Sequence, residues 1–335
     1  MSAAGLKVGV MGAGAIGCYL GGRLAAAGCD VVLVGRPALA AELAEHGLHV
    51  TDYRGFDRRL DVAVATEAGA LRGRDVVLVT VKSGDTAAAG ATLAEVVGKD
   101  AVVVSFQNGV SNPELLRAAG LRVLAGMVPF NVLRRDGGHV HQGTSGQLAI
   151  ERGGVSARLT AALVSAGLDT RQHDDMQGVQ WGKLLVNLNN AINALAGVPI
   201  KDMIGSRDYR RIMAACLREG LAAVRRAGIE PWLEVKLPPR LLPFVLSLPD
   251  VVFSRVARSM LTVDAQARSS MWDDLARGRK TEIDTLNGEV VRLAARVGSA
   301  APNNAAIVAL IKQAEAAGQG SPRLTAAALR AALPG

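Results

Sequence analysis

Short, uninterrupted apolar runs alternate with stretches of helical spacing through the first half of the chain. The runs over 6–11, 30–34, 75–81 and 101–106 are rich in Val and Leu. Strands buried on both faces read this way, whereas half-exposed strands alternate. Between them, 15–27, 38–46 and 86–97 carry small and apolar residues at helical spacing, and Gly28 and Gly47 stand where helices end. Strand, helix, strand, helix with short connections predicts a parallel sheet covered on both sides. Residues 127–151 change character: Gly137-Gly138 separates two runs, and 139–142 and 147–150 alternate polar with apolar. A small antiparallel extension of the sheet is expected there.

Beyond Asp174 the strand pattern stops. Helices are expected over 177–196, 208–227, 237–248, 269–277, 283–297 and 303–317, punctuated by Pro231, Pro238, Pro239, Pro243, Pro249 and Pro302. The expected layout is therefore an α/β domain over 1–174 and a helical domain over 175–335.

Composition narrows the class. The 335 residues are 50% hydrophobic and 20% charged, so the chain can bury a core and is not disordered. Only 3% are aromatic, so Ala, Val and Leu must fill that core. The net charge of +8 is carried mostly by scattered arginines. Without a basic run, and with few aromatics for base stacking, nucleic-acid binding is not expected. Small anionic ligands remain open. The three cysteines form no CxxC pair and sit with no His cluster, so neither zinc nor a disulfide framework is expected. The apolar run at the N-terminus is short for a signal peptide. No stretch reaches ~18 apolar residues, so no membrane span is expected. A reducing, cytoplasmic setting is the simplest expectation.

The first strand runs into Gly12-Ala13-Gly14-Ala15-Ile16-Gly17, which opens the first helix. The first glycine permits the turn, the second lets a pyrophosphate approach the backbone, and the third allows close helix packing. The N–H groups of the helix start then face the phosphates. The second strand ends in Arg36, with no acid beside it. An arginine there suits a ribose 2′-phosphate, which predicts NADP rather than NAD.

The segment Trp181-Gly182-Lys183-Leu184-Leu185-Val186-Asn187-Leu188-Asn189-Asn190 reads as a buried helix with a polar face. At about 100° per residue, Lys183, Asn187 and Asn190 fall within about 60°, and Asn193 lies at the edge of that stripe. Burying such groups without partners is costly, so the face either lines a wet cleft or satisfies itself as an amide network. Farther on, Thr281 and Asp284 have capping-box spacing, which would leave Glu282 as a residue favouring the helix dipole.

Taken together, these segments resemble the ketopantoate reductase (2-dehydropantoate 2-reductase) family. The resemblance rests on the 12–17 loop, Val79-Thr80-Val81-Lys82, Phe106-Gln107-Asn108-Gly109, the 181–187 segment, Ser270 and Lys280-Thr281-Glu282-Ile283-Asp284, in that order. It implies a Rossmann-type domain followed by an all-helical domain arranged like that of 6-phosphogluconate dehydrogenase, with the active site in the cleft between them. The implied reaction is NADPH-dependent reduction of 2-dehydropantoate to (R)-pantoate, on the route to pantothenate and coenzyme A. Lys183 resembles the catalytic lysine and Glu282 the acid that hydrogen-bonds the substrate hydroxyl. Asn108, Asn187 and Ser270 resemble substrate- or cofactor-positioning groups, and Asn190, on the polar face of the same segment, is a further substrate-binding candidate. Gly12, Gly14, Ala15, Ile16, Gly17, Arg36, Lys82 and Asn108 resemble the cofactor site. Two positions depart from the pattern. Asp85 stands where some members have Gln, and Ala191 stands where members often have a second Asn, with Asn190 and Asn193 beside it. Another 2-keto acid as substrate, or a non-enzymatic NADPH sensor, are the alternatives. The helical domain has room for an apolar homodimer face.

Overall fold

The computed structural model describes residues 5–233, 237–257 and 266–334; residues 1–4 of the N-terminal stretch lie outside them. Contacts divide the chain into two compact units, 1–176 and 177–335.

The first unit contains β1 (Lys7–Met11), α1 (Ala15–Ala26), β2 (Asp30–Val34), α2 (Pro37–His46), β3 (Leu48–Asp52), β4 (Asp57–Leu60), β5 (Ala63–Ala65), β6 (Val76–Val79) and α3 (Thr86–Val96). It continues with β7 (Val102–Ser105), α4 (Asn112–Ala118), β8 (Val123–Met127), β9 (Val132–Arg134), β10 (His139–Gln142), β11 (Leu148–Glu151), α5 (Ser156–Ser165) and β12 (Thr170–His173). Eight strands form one sheet in the order β12-β11-β8-β7-β6-β1-β2-β5. All its pairings are parallel except β11 with β8.

Alternate residues of the central strands feed two cores. Val8, Val10, Leu33, Leu78 and Val104 face one side, and Val32, Val34, Val77, Val79 and Val103 the other. Each such side chain contributes about 1.5–3 kcal/mol by leaving water. This is why the strands read as unbroken apolar runs.

The expected antiparallel extension is only half right. Leu148–Glu151 does join the main sheet antiparallel to β8. His139–Gln142 does pair antiparallel with β9 across Gly137-Gly138, but in a second sheet, ordered β4-β3-β10-β9, where it also pairs in parallel with β3. Helix α1 lies between the sheets. A Cβ on Gly21 would stand 2.6 Å from Leu33 of the large sheet, and one on Gly22 would stand 2.6 Å from Val50 of the small one. Small residues are needed there because backbone meets side chain from both sides. On the same helix, buried Arg23 reaches Asp52 of β3 at 2.7 Å, donates to the Ala166 carbonyl and stacks 3.9 Å over Phe56. The small sheet also stacks His49 on His139, with ring centroids 4.3 Å apart. Thr51 Oγ1 bonds His139 Nε2 at 2.8 Å and His141 Nδ1 at 2.7 Å.

The second unit takes in α6 (Met176–Asn187), α7 (Asn189–Ala196), α8 (Ile200–Gly205), α9 (Arg207–Arg226), α10 (Leu242–Leu246), α11 (Asp250–Val256), α12 (Ser270–Ala276), α13 (Asn287–Arg296), α14 (Pro302–Ala317) and α15 (Ala326–Ala331). No strand occurs among its described residues. Two expected helices are shorter than the periodicity implied. The 283–297 stretch starts as a single 3-10 turn, Ile283–Thr285, and becomes α-helical only after Leu286. The 237–248 stretch likewise begins with the 3-10 turn Pro239–Leu241, because Pro239 and Pro243 lack N–H groups. Buried Arg210 of α9 fastens its neighbours, donating to the carbonyls of Ile204, Gly205, Leu246 and Leu248 and to Asp250.

All three cysteines are buried and none is in a disulfide. Burial pushes the Cys18 thiol up to about 12, so it is no nucleophile at neutral pH. Among the described residues no helix is long and apolar enough to cross a membrane, and no cluster of His, Cys, Asp or Glu fits a metal ion.

Candidate active site

The glycine loop connects β1 to α1 at the carboxyl ends of the parallel strands. Gly12 has φ +102°, and a Cβ there would stand 2.6 Å from the Val81 nitrogen. A Cβ on Gly17 would stand 2.4 Å from the Gly12 oxygen. Both glycines are therefore required by packing. Gly14 is different: a Cβ there would meet nothing within 4 Å. Packing gives no reason for it, and its open side leaves the backbone approachable. The loop is held by Gly12 and Ala13 N–H groups donating to the Val34 carbonyl and by Thr80 Oγ1 donating to the Gly12 carbonyl at 2.6 Å. Gly14 precedes α1 with no side-chain cap. The N–H groups of Ala15, Ile16 and Gly17 thus have no acceptor within their helix. An open backbone cradle with free donors fits a dinucleotide pyrophosphate.

The neighbouring strand ends supply the other expected cofactor residues. Arg36 is exposed directly beyond β2, at the start of α2. Lys82 follows β6 and precedes the 3-10 turn Ser83–Asp85, and Asn108 follows β7. Strands β7, β6, β1 and β2 are adjacent, so all four segments share one sheet edge. The chain order reverses between β6 and β1, where open α/β sheets bind ligands.

A network not anticipated from the sequence holds that edge. Gln107 Nε2 donates to the Val81 carbonyl at 3.0 Å and to Thr86 Oγ1 at 2.7 Å, while Ser105 Oγ donates to Gln107 Oε1. Thr86 Oγ1 donates to Asn112 Oδ1. Asn112 Nδ2 and Ser83 Oγ both donate to the Asn108 carbonyl, at 2.6 and 3.0 Å. The loops bearing Lys82 and Asn108 are thereby bonded into one piece. The only sequence signal was polar residues next to apolar strands.

In the second unit the polar stripe is present, but on two helices. Helix α6 ends at Asn187 and α7 starts at Asn189, yet Leu188 keeps helical angles (φ −57°, ψ −23°), so the stripe continues across the joint. Lys183, Asn187 and Asn190 are half-buried and Val186 is exposed, while Leu184, Leu185, Ala191 and Ile192 are buried. The stripe is open enough to meet a ligand. Gly182, beside the lysine, has a packing cause: a Cβ would lie 1.7 Å from the Trp232 oxygen. Trp232 also donates its N–H to the Gly178 carbonyl at 3.0 Å.

Asn193 belongs to the structure instead. It is fully buried; its Nδ2 donates to the Val198 carbonyl at 2.8 Å and its Oδ1 accepts from the Ser269 N–H at 3.0 Å. Ser269 Oγ donates to the Asn190 carbonyl and accepts from the Trp272 N–H, capping α12. These bonds dock the start of α12 on α7. Ser270, the expected site residue, follows as an exposed side chain.

The capping-box account of 281–284 does not hold. Thr281 Oγ1 accepts from the Ile283 N–H, and the Asp284 carboxylate pairs with Lys312 at 2.8 Å. Glu282 precedes only the 3-10 turn and its carboxylate does not cap it. No α-helix dipole explains this half-buried acid.

Comparison with known proteins covers both units. The family model described as ketopantoate reductase PanE/ApbA matches residues 8–154, and the model of its C-terminal part matches residues 175–315. A 2-dehydropantoate 2-reductase of Halobacterium salinarum is 30% identical over 319 residues, covering 92% of this chain and 99% of the relative. One from Archaeoglobus fulgidus is 28% identical over 316 residues, covering 92% and 98%. The crystal structure of a PanE/ApbA family ketopantoate reductase from Ralstonia eutropha shares 32% identity and superposes with a TM-score of 0.82, covering 93% of this chain and 99% of that one. With both family models matched in order along an α/β unit and a helical unit, the chain belongs to the ketopantoate reductase family and is an oxidoreductase.

Proposed function

We propose that the protein reduces 2-dehydropantoate to (R)-pantoate with NADPH, with Lys183 as general acid. The observation that carries this reading is the half-buried Lys183 at the head of an open amide stripe in a family of reductases. The nicotinamide cofactor, when bound, supplies the hydride that forms the new C–H bond at the ketone carbon. As the carbonyl π bond breaks, its electron pair moves to oxygen, and Lys183 Nζ stabilises that charge and transfers its proton there. Asn187, Asn190 and Ser270 supply donors for the substrate oxygens, and Glu282 accepts from the substrate hydroxyl. Residues 1–174 hold the cofactor through Gly12, Gly14, Ala15, Ile16, Gly17, Arg36, Lys82 and Asn108. Residues 175–335 hold the substrate.

Ala191 favours a second reading, the same chemistry on a different 2-keto acid. It is fully buried, and the neighbouring Asn193 is engaged in holding α12, leaving Asn190 as the amide there that faces outward. A panel of 2-keto acids followed by NADPH absorbance separates the readings. 2-Dehydropantoate is expected among the best substrates, and a clear preference for another acid would select the second reading. Lys183→Ala is expected to lower kcat by about 10²–10⁴-fold with cofactor affinity retained.

A further inference from the structure

Gln180 lies one turn before Lys183 on α6. Its side chain is only 7% exposed, and its Nε2 is buried with no hydrogen-bond partner. A buried amide donor left unpaired costs stability that Leu or Met in the same space would not. Among the described residues four other buried polar atoms share this condition, Arg74 Nε, Thr160 Oγ1, Asn287 Oδ1 and Asn303 Oδ1. Three of them belong to side chains anchored elsewhere: Arg74 pairs with Asp30, Asn287 donates to Asn304 and Asn303 donates to Glu219. Thr160 lies within α5 of the first unit. Gln180 is the one on the polar stripe.

Helix geometry places it at the border of the stripe, about 20° from Asn187 and about 40° from buried Leu184. At about 100° per residue, Gln180, Lys183, Asn187 and Asn190 fall within an arc of about 80°. The Trp232 backbone covers Gly178 and Gly182, at least about 160° around the helix from Gln180. The stripe is half-buried from Asn190 back to Lys183 and becomes buried at Gln180. Gln180 therefore stands at its closed end, with Lys183 about 4.5 Å farther along the axis.

We propose that Gln180 recognises the substrate, its Nε2 donating a hydrogen bond to a carboxylate or carbonyl oxygen of the 2-keto acid while Lys183 serves the reacting ketone. A donor at this position requires an acceptor, and an anionic keto acid is rich in them. The assignment rests on the reading that the stripe holds such an acid.

The test compares the wild-type enzyme with Gln180→Leu and the closer-sized Gln180→Met. KM is measured separately for keto acid and cofactor, alongside thermal melting. Both variants are expected to raise the keto-acid KM about 10-fold or more, to leave the cofactor KM unchanged and to melt no lower than wild type. An unchanged keto-acid KM in a folded variant overturns the proposal, as does a shift confined to the cofactor KM. A lower melting temperature in both variants would mean the amide is structurally satisfied, which also overturns it. Failure of the underlying reading shows earlier and separately, as a wild-type enzyme that reduces no 2-keto acid.

Discussion

The carbonyl oxygen of Trp232 lies where a side chain on residue 182 would have to be, 1.7 Å from an ideal Cβ. Glycine inside a helix ordinarily costs about 1 kcal/mol against alanine, yet here it lets a chain segment cross α6 beside the proposed acid. Gly182→Ala must move either that segment or the helix. It is expected to destabilise by about 3 kcal/mol, the upper end for overpacking, and to lower activity. Thermal melting with kcat checks this; a wild-type melting temperature would show that the crossing is soft.

Arg36 stands exposed just past β2. If it binds a 2′-phosphate, Arg36→Ala removes a charge-assisted hydrogen bond worth about 1.5–3 kcal/mol. The expected result is a loss of about 10–100-fold in kcat/KM with NADPH and little change with NADH. Equal losses with both cofactors would count against the NADPH assignment.

Asn190 and Asn193 separate function from stability on adjacent turns. Asn193→Ala leaves the buried Ser269 N–H without its acceptor, an expected cost of about 1–3 kcal/mol. Asn190→Ala keeps the Asn190 carbonyl that Ser269 uses, so it should melt like wild type and raise the substrate KM. The reverse pattern in melting and kinetics would exchange the two roles.

His139 of the small sheet sets an acid limit. Burial holds His139 below the ordinary imidazole value, helped by the charges of His49, Arg135 and His141 and opposed by Asp57. A depressed folded value means the unfolded chain takes up the proton more readily. Stability from this site is therefore full at neutral pH and falls as pH drops below the unfolded value of about 6.5. Melting temperatures should decline between about pH 7 and 5, and His139→Gln should flatten that decline. An unchanged slope would place the acid sensitivity elsewhere.

These contrasts also show how far the chain could be read in advance. Val76–Val79 and Val102–Ser105 were legible because strands buried on both faces carry no polar interruption. Leu48–Asp52 and Asp57–Leu60 were not, because Asp57, Arg58 and Arg59 point into water at the edge of a second sheet. The glycine loop was legible because Gly12 and Gly17 must be glycine for steric reasons. The stripe of Lys183, Asn187 and Asn190 followed from helical period alone. Asn193 lies on the same helix face by period, but its partners Val198 and Ser269 come from a local turn and a distant segment. Gly182 could not be explained either, since Trp232 arrives from fifty residues along the chain.

The Ser83, Thr86, Ser105, Gln107 and Asn112 bonds that join the Lys82 and Asn108 loops also restrict how this sequence can drift. A buried polar network in which one member is lost is worse than having none. These five positions should therefore change together among descendants of this chain or not at all, and they would mark its lineage even where the surface has diverged.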